Sequence, residues 1–211
     1  MKNALLFGWL LVPVAAGAYH FGPGQEHLRA DRAAACVARA EAAACEARET
    51  VARDGDDAAR YLWAEAEEAY AEAIDKLPSD RVAESRALRL ERAKAGMFVS
   101  KLREVRGDLE VLVDELVEDP EADETLLADA REALANSQYY STWLLRLEGA
   151  PRETWEPEVE ASRQNYRLLA ERAAGSGDVG VAAKQRQNLE SAIRLARMDL
   201  SELQGLPLPS Q

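Results

Sequence analysis

The chain is punctuated by helix breakers. Asp54-Gly55, Pro78, Asp119-Pro120, Gly149-Ala150-Pro151 and Gly175-Ser176-Gly177 recur along it, and each stretch between them carries apolar residues at steps of three and four. Proline removes a backbone donor and clashes with the preceding turn, while glycine opens left-handed conformations, so each cluster ends a helix. A chain cut in this way cannot form one rod. It folds as consecutive helices joined by short turns, and no sustained period-two pattern asks for a strand.

The segments differ in how well they specify a buried face. Gln25 to Arg53 keeps Leu28, Ala35, Ala38, Ala42, Cys45 and Ala52 on one face, but alanine fills the other faces too. Its helix propensity is strong and its partner weakly defined. Asp56 caps a second helix running to Leu77, with Leu62, Ala66, Ala69, Tyr70 and Ala73 on one side. Ser79 or Asp80 caps a third, whose stripe is Leu88, Ala95, Phe98, Leu102, Val105, Leu109, Leu112 and Leu116. This stretch either splits at Gly107-Asp108 or runs unbroken to Glu118, since an internal glycine costs only about 1 kcal/mol. Further stripes follow at Leu126–Leu147 and Trp155–Ala173, and a last helix capped by Asp178 runs to Gly205. Loops this short favour antiparallel neighbours. The expected fold class is all-α, with antiparallel α-hairpins forming a short solenoid or a helical bundle behind an N-terminal hydrophobic helix.

That first helix sets the expected location. No charged residue separates Lys2 from Glu26, and Leu5, Leu6, Phe7, Trp9, Leu10, Leu11 and Val12 cover every face of the segment. Ala16-Gly17-Ala18 offers small residues for cleavage between Ala18 and Tyr19, whereas Tyr19-His20-Phe21 and Gly22-Pro23-Gly24 resemble the aromatic collar and exit of a retained anchor. The aromatic triplet favours retention. Either way the positive end stays inside and the body is exported to the extracytoplasmic side of a cell envelope. The expected organisation is residues 1–19 as signal peptide or membrane anchor, 20–27 as linker, 28–204 as an all-helical domain and 205–211 as a proline-containing tail.

A net charge of −12 argues against nucleic acid as a partner, because binding it would release no counterions. Cys36 and Cys45, on one continuous helix, are separated by about 13 Å of rise at 1.5 Å per residue. A disulfide between them is therefore excluded, since its Cα atoms must lie within about 7 Å. They are either small buried residues, the favoured reading, or thiols that bond another chain. His20 and His27 are the only histidines and do not stand in a metal-ligand spacing, so neither a metal site nor a cofactor is expected. The acidic runs at Asp54–Asp57 and Asp119–Glu124 read as helix caps. No nucleophile and base stand in a catalytic arrangement, and no enzymatic activity is expected.

The stretch Trp63-Ala64-Glu65-Ala66-Glu67-Glu68-Ala69-Tyr70-Ala71-Glu72-Ala73-Ile74-Asp75-Lys76-Leu77-Pro78 resembles the second helix of a tetratricopeptide repeat, with small residues at Ala66 and Ala73, an aromatic at Tyr70 and a closing proline at Pro78. Arg106-Gly107-Asp108-Leu109 resembles the turn between that repeat's helices, although no 34-residue period recurs. The resemblance implies a TPR-like solenoid acting as a protein-binding scaffold. Tyr139, Trp143 and Arg146 share one helix face, and Arg163 and Tyr166 follow on the next helix. Aromatics beside arginine are what binding hot spots use, and also what a helical core uses. These five are the candidate protein-binding residues. The expected function is an exported, membrane-tethered scaffold for protein–protein interaction. The alternative is a homo-oligomeric spacer that self-associates through the alanine-rich first helix, and a small enzyme or metal-binding protein is disfavoured.

Overall fold

The computed structural model describes residues 23–204; the expected leader over 1–19 and the tail over 205–211 lie outside the described residues. Eight α-helices and no strand make up this span: α1 (Pro23–Asp54), α2 (Asp56–Lys76), α3 (Val82–Met97), α4 (Leu102–Glu118), α5 (Glu124–Leu147), α6 (Arg152–Ser176), α7 (Val179–Arg197) and α8 (Leu200–Gln204). Each helix from α1 to α7 packs mainly on its neighbours in sequence; α3 also touches α5, and α5 reaches α8. The all-α class therefore stands.

Helix α1 starts at Pro23, inside the stretch expected to be a linker. Proline is at home there, because its missing N–H would be unpaired in a first turn and its φ is already helical. A single residue, Gly55, separates α1 from α2, and its φ of 89° and ψ of 173° suit glycine almost alone. The chain folds back at once, and Arg39 on α1 pairs with Glu72 on α2. Hydrogen bonds from Lys76 and then Arg39 hold the Glu72 carboxyl down to about 2.

The contact between these two helices corrects one expectation. Leu28, Ala35, Ala38, Ala42, Cys45 and Ala52, the face expected to be inward, are exposed. Ala33, Cys36, Ala40, Ala43, Ala44, Ala47 and Thr50 are buried instead. With alanine on every side, no hydrophobic stripe fixes the rotation of α1. The partner fixes it: Ala40, Ala43, Ala44 and Ala47 meet Ala59, Ala66 and Ala69, with Leu62, Trp63 and Tyr70 filling the remaining space.

The stretch from 80 to 118 is two helices, and the break falls at Phe98–Lys101 instead of Gly107. Gly107 lies inside α4, so the residues resembling a repeat turn, Arg106 to Leu109, are helical. A Cβ on Gly107 would meet nothing, whereas a Cβ on Gly96 would stand 2.7 Å from Val105 Cγ2. The glycine that matters to packing is therefore Gly96, which lets α3 and α4 close together. Ser100 turns the chain with a left-handed φ of 64°. Phe98 stacks on Trp63 with ring centroids 4.3 Å apart.

Side-chain caps form at some expected ends and not at others. Asp178 accepts from Val181 N–H at 3.0 Å, as its position in sequence suggests. Asp123 caps α5, accepting from Thr125 N–H at 2.6 Å and Leu126 N–H at 3.2 Å. Neither Ser79 nor Asp80 caps α3, which starts after Arg81 without a side-chain cap. Asp56 is itself the first residue of α2, where its charge meets the positive end of the helix. The last helix stops at Arg197 instead of reaching Gly205. There Asp199 accepts from Glu202 N–H at 2.8 Å and its own N–H donates to Glu202 at 3.0 Å, a reciprocal cap that opens α8. Leu203 of α8 is buried against Trp143, Val159 and Leu195.

One buried carboxylate ties three segments together. Glu67 on α2 accepts from Arg92 on α3 at 2.8 Å and from Lys101 at the head of α4 at 2.7 Å. Burial pushes its carboxyl up, but the two cationic donors outweigh that and hold it below the ordinary glutamate range. Because the folded value is depressed, this contribution is present above the unfolded pKa, about 4.3, and is lost as pH falls through the folded value. Glu67→Gln is expected to lower stability at neutral pH by about 1–3 kcal/mol, with the deficit shrinking below about pH 4. Urea unfolding at both pH values checks this. Thermal unfolding followed by circular dichroism reads the rotation of α1: Ala47→Leu on the buried face is expected to cost about 1–3 kcal/mol. Ala42→Leu on the exposed face is expected to stay within about 0.5 kcal/mol of the parent.

Candidate functional site: a groove lined by five helices

Helices α1, α3, α5 and α7 all contribute side chains to one groove of about 500 Å³, while α4 and α6 contribute none. Helix α2 reaches it through Trp63 and Tyr70 alone. The floor is aromatic. The Trp63–Phe98 stack lies there with Tyr70, and Tyr140 joins from α5; Trp63 (7% exposed) and Tyr70 (4%) belong mainly to the core, and Phe98 and Tyr140 are half-buried. Burial, with Glu91 and Glu41 adding to it, pushes the Tyr70 phenol up. Burial also pushes Tyr140 up, with Tyr139 and Asp56 adding to the shift. Both phenols stay neutral at neutral pH. The buried indole N–H of Trp63 has no acceptor among the described residues.

Six charged side chains line the groove: Arg48, Lys94 and Lys184 against Glu91, Asp129 and Glu132. Four of them are already paired. Lys94 meets Glu91 at 2.8 Å, and Lys184 on α7 meets Glu132 on α5 at 2.6 Å. Gln185, itself buried, also donates to Glu132 at 2.7 Å, so α5 and α7 are joined along this wall. Arg48 on α1 and Asp129 on α5 have no ion pair among the described residues. Asn136 also lines the groove, and its Oδ1 accepts from the buried Tyr166 hydroxyl at 2.6 Å.

None of the five candidate residues from the sequence lines this groove. Trp143 and Tyr166 are each only 3% exposed and belong to the core. Tyr139 is half-buried, edge-on to Tyr140 at 5.9 Å and 6.5 Å from Trp143. Arg163 is half-exposed and pairs with Glu160 at 2.9 Å on its own helix. Arg146 donates to the carbonyls of Leu195 and Met198, at the end of α7, and its guanidinium lies 4.8 Å over the Trp155 ring. Burial lowers its pKa. The face shared by Tyr139, Trp143 and Arg146 is real, but it turns into α7 and α8.

The residues that do line the groove were hard to find in sequence. Trp63 and Tyr70 lay within the repeat-like segment, where both read as packing. Arg48, Lys94 and Asp129 were indistinguishable from the chain's other charges. Phe98 stood in a core stripe, and it does pack on the core cluster through Trp63 while its open side lines the groove.

Of the two cysteines, Cys36 is buried and Cys45 exposed, and both thiols are free. Among the described residues no group of three or more His, Cys, Asp and Glu side chains is placed to hold a metal ion. No helix among them is long and apolar enough to cross a membrane.

Arg146→Lys is expected to lose the two-carbonyl fork, because an ammonium is a point donor where a guanidinium is a planar one. The expected loss is about 1–2 kcal/mol, with faster hydrogen exchange in 200–204 and no change around the groove. Exchange mass spectrometry on the two proteins checks both parts. Compared with family models, curated proteins and solved structures, the chain matches none.

Proposed function

We propose that this chain is a non-catalytic helical scaffold, exported and held at the membrane by its N-terminal segment, that takes a segment of a partner protein into the groove. The observation that carries the reading is the groove itself, to which α1, α2, α3, α5 and α7 all contribute and in which aromatic and charged side chains stand together. Packing of each helix mainly on its neighbours in sequence supports the tetratricopeptide-like stack of α-hairpins. The groove's aromatic floor and charged rim match the make-up of a binding hot spot. The uncharged stretch between Lys2 and Glu26 supports export.

Photo-crosslinking residues placed at Lys94 and Asp129, on the groove, and at Tyr61 and Val111, exposed and away from it, test the binding reading in the producing cell. A discrete protein adduct is expected from the first two positions and not from the others. Equal labelling from all four, or none from the groove, contradicts it. Mass analysis of the N-terminus in membrane and soluble fractions tests the export reading. An intact leader in the membrane fraction is expected, and recovery of the full chain in the cytoplasm contradicts it.

A second reading, a self-associating spacer, is favoured by the exposed face of α1, where Leu28, Ala35, Ala38, Ala42 and Cys45 recur at seam-like spacing. A concentration-independent monomer in sedimentation excludes it.

A further inference from the structure

Helix α1 has two faces, and α2 takes only one. Helix α1 packs mainly on α2, with the side holding Ala40, Ala43, Ala44 and Ala47 buried. Half a turn away, Ala35, Ala38, Ala42, Cys45, Glu49 and Ala52 are exposed and advance by alternate steps of three and four, the spacing of a two-helix seam. Small side chains alone name no partner; the charges that border this face do. Arg39 and Glu46 stand on one border, Glu41 and Arg48 on the other, all exposed and seven residues apart. In a second copy running antiparallel, with Ala42 of one opposite Cys45 of the other, each border meets itself reversed. Arg39 then faces Glu46 of the second copy and Glu41 faces Arg48, and each pair occurs twice. Glu49 falls opposite Ala38, and Ala52 opposite Ala35. A parallel pair instead brings Glu41 to Glu46 and Arg48 to Arg53 across the seam and sets Glu49 against Glu49 within it.

We infer that the exposed face of α1 is covered by α1 of a second copy, antiparallel, in the register that sets Ala42 against Cys45. This rests on the reading of the chain as a self-associating spacer and adds the direction and register of the seam. Arg39 is shared with Glu72 on α2, so the two Glu41–Arg48 pairs carry most of the preference. Against the favourable pairs stand two Arg32–Arg53 approaches at the ends of the seam, where Asp54 already accepts from Arg53 at 2.7 Å. Helix α1 carries five arginines and six carboxylates, so it is close to neutral and the excess of −12 lies elsewhere on the chain. The pairing sends the two N-terminal ends of α1 in opposite directions, so copies anchored in one membrane pair this way only with α1 lying along its surface.

Sedimentation of the full chain in mild detergent tests this, at about 0.15 M salt, which screens the net charges of the copies beyond about 8 Å. A monomer–dimer equilibrium is expected. Glu41→Arg, at an exposed position, is expected to leave thermal melting unchanged and to weaken the dimer roughly tenfold, because it makes both Glu41–Arg48 pairs repulsive. Adding Arg48→Glu is expected to restore the dimer. Oxidation of chains carrying Cys45→Ala reads the register. Ala38→Cys together with Glu49→Cys is expected to give a disulfide-linked dimer, and Ala38→Cys alone is not, because the two copies of position 38 lie about 16 Å apart along the seam. In the parent chain the Cys45 thiol is expected to react fast in dilute solution and more slowly as the dimer forms. A dimer that tightens with Glu41→Arg, or that links through Ala38→Cys alone, is parallel and overturns this inference while leaving the spacer reading in place. A dimer indifferent to these charges has its contact elsewhere and also overturns it. A monomer at every concentration overturns both.

Discussion

The close approach of α1 and α2 through alanine sets the geometry on which the rest depends. At their seam α1 offers little beyond Cβ atoms and α2 alternates alanines with Leu62, Trp63 and Tyr70, so the backbones come near each other and Arg39 reaches Glu72 across the gap. Alanine contributes little area per residue, and the seam gains by being continuous, from Ala33 near one end to Thr50 near the turn. Its position along α2 leaves Trp63 and Tyr70 on the flank towards α3, where they become groove floor. A rotation of α1 by one position would remove Ala44 and Arg48 from that wall.

From that seam the fold grows by neighbour contacts, each fixed by a different device. Glu67 gathers α2, α3 and α4 through two charged hydrogen bonds. Gly96 lets Val105 come in where a Cβ would clash. Ser162 donates to the Ala135 carbonyl at 2.9 Å between α6 and α5, and Tyr166 reaches Asn136 on the same pair. Arg146 closes the carbonyl end of α7. The core accordingly consists of successive clusters along the chain.

Helix class and most boundaries were legible in the sequence because most breakers act locally: helices end at Pro78, Asp119-Pro120 and Gly177, although Pro157 and Gly107 are accommodated inside α6 and α4. Caps such as Asp178 were legible for the same reason. What failed depended on neighbours. The rotation of α1 could not be read from a helix with alanine on every face, and it came out with the expected face outward. The break at Phe98–Lys101 carries no breaker residue; Ser100 turns there with a left-handed φ, next to the Phe98–Trp63 stack and the close contact at Gly96. The groove itself is assembled from five helices, and no local pattern announces which lysine or tyrosine will share a wall. Tyr139, Trp143 and Arg146 were correctly placed on one face, yet whether that face meets solvent or α7 is a tertiary fact.

The two cysteines report on the α1–α2 seam without any substitution, since Cys36 lies on the buried side of α1 and is 7% exposed, while Cys45 lies on the open side. Titration of the native full chain with a thiol reagent measures their accessibility directly. With the alanine seam buried as described, Cys45 reacts at once and Cys36 reacts only as denaturant unfolds the chain. Rapid reaction of Cys36 with Cys45 protected, or equal reaction of both in the folded protein, would mean that α1 faces α2 with its other side and that the groove wall built on it does not exist.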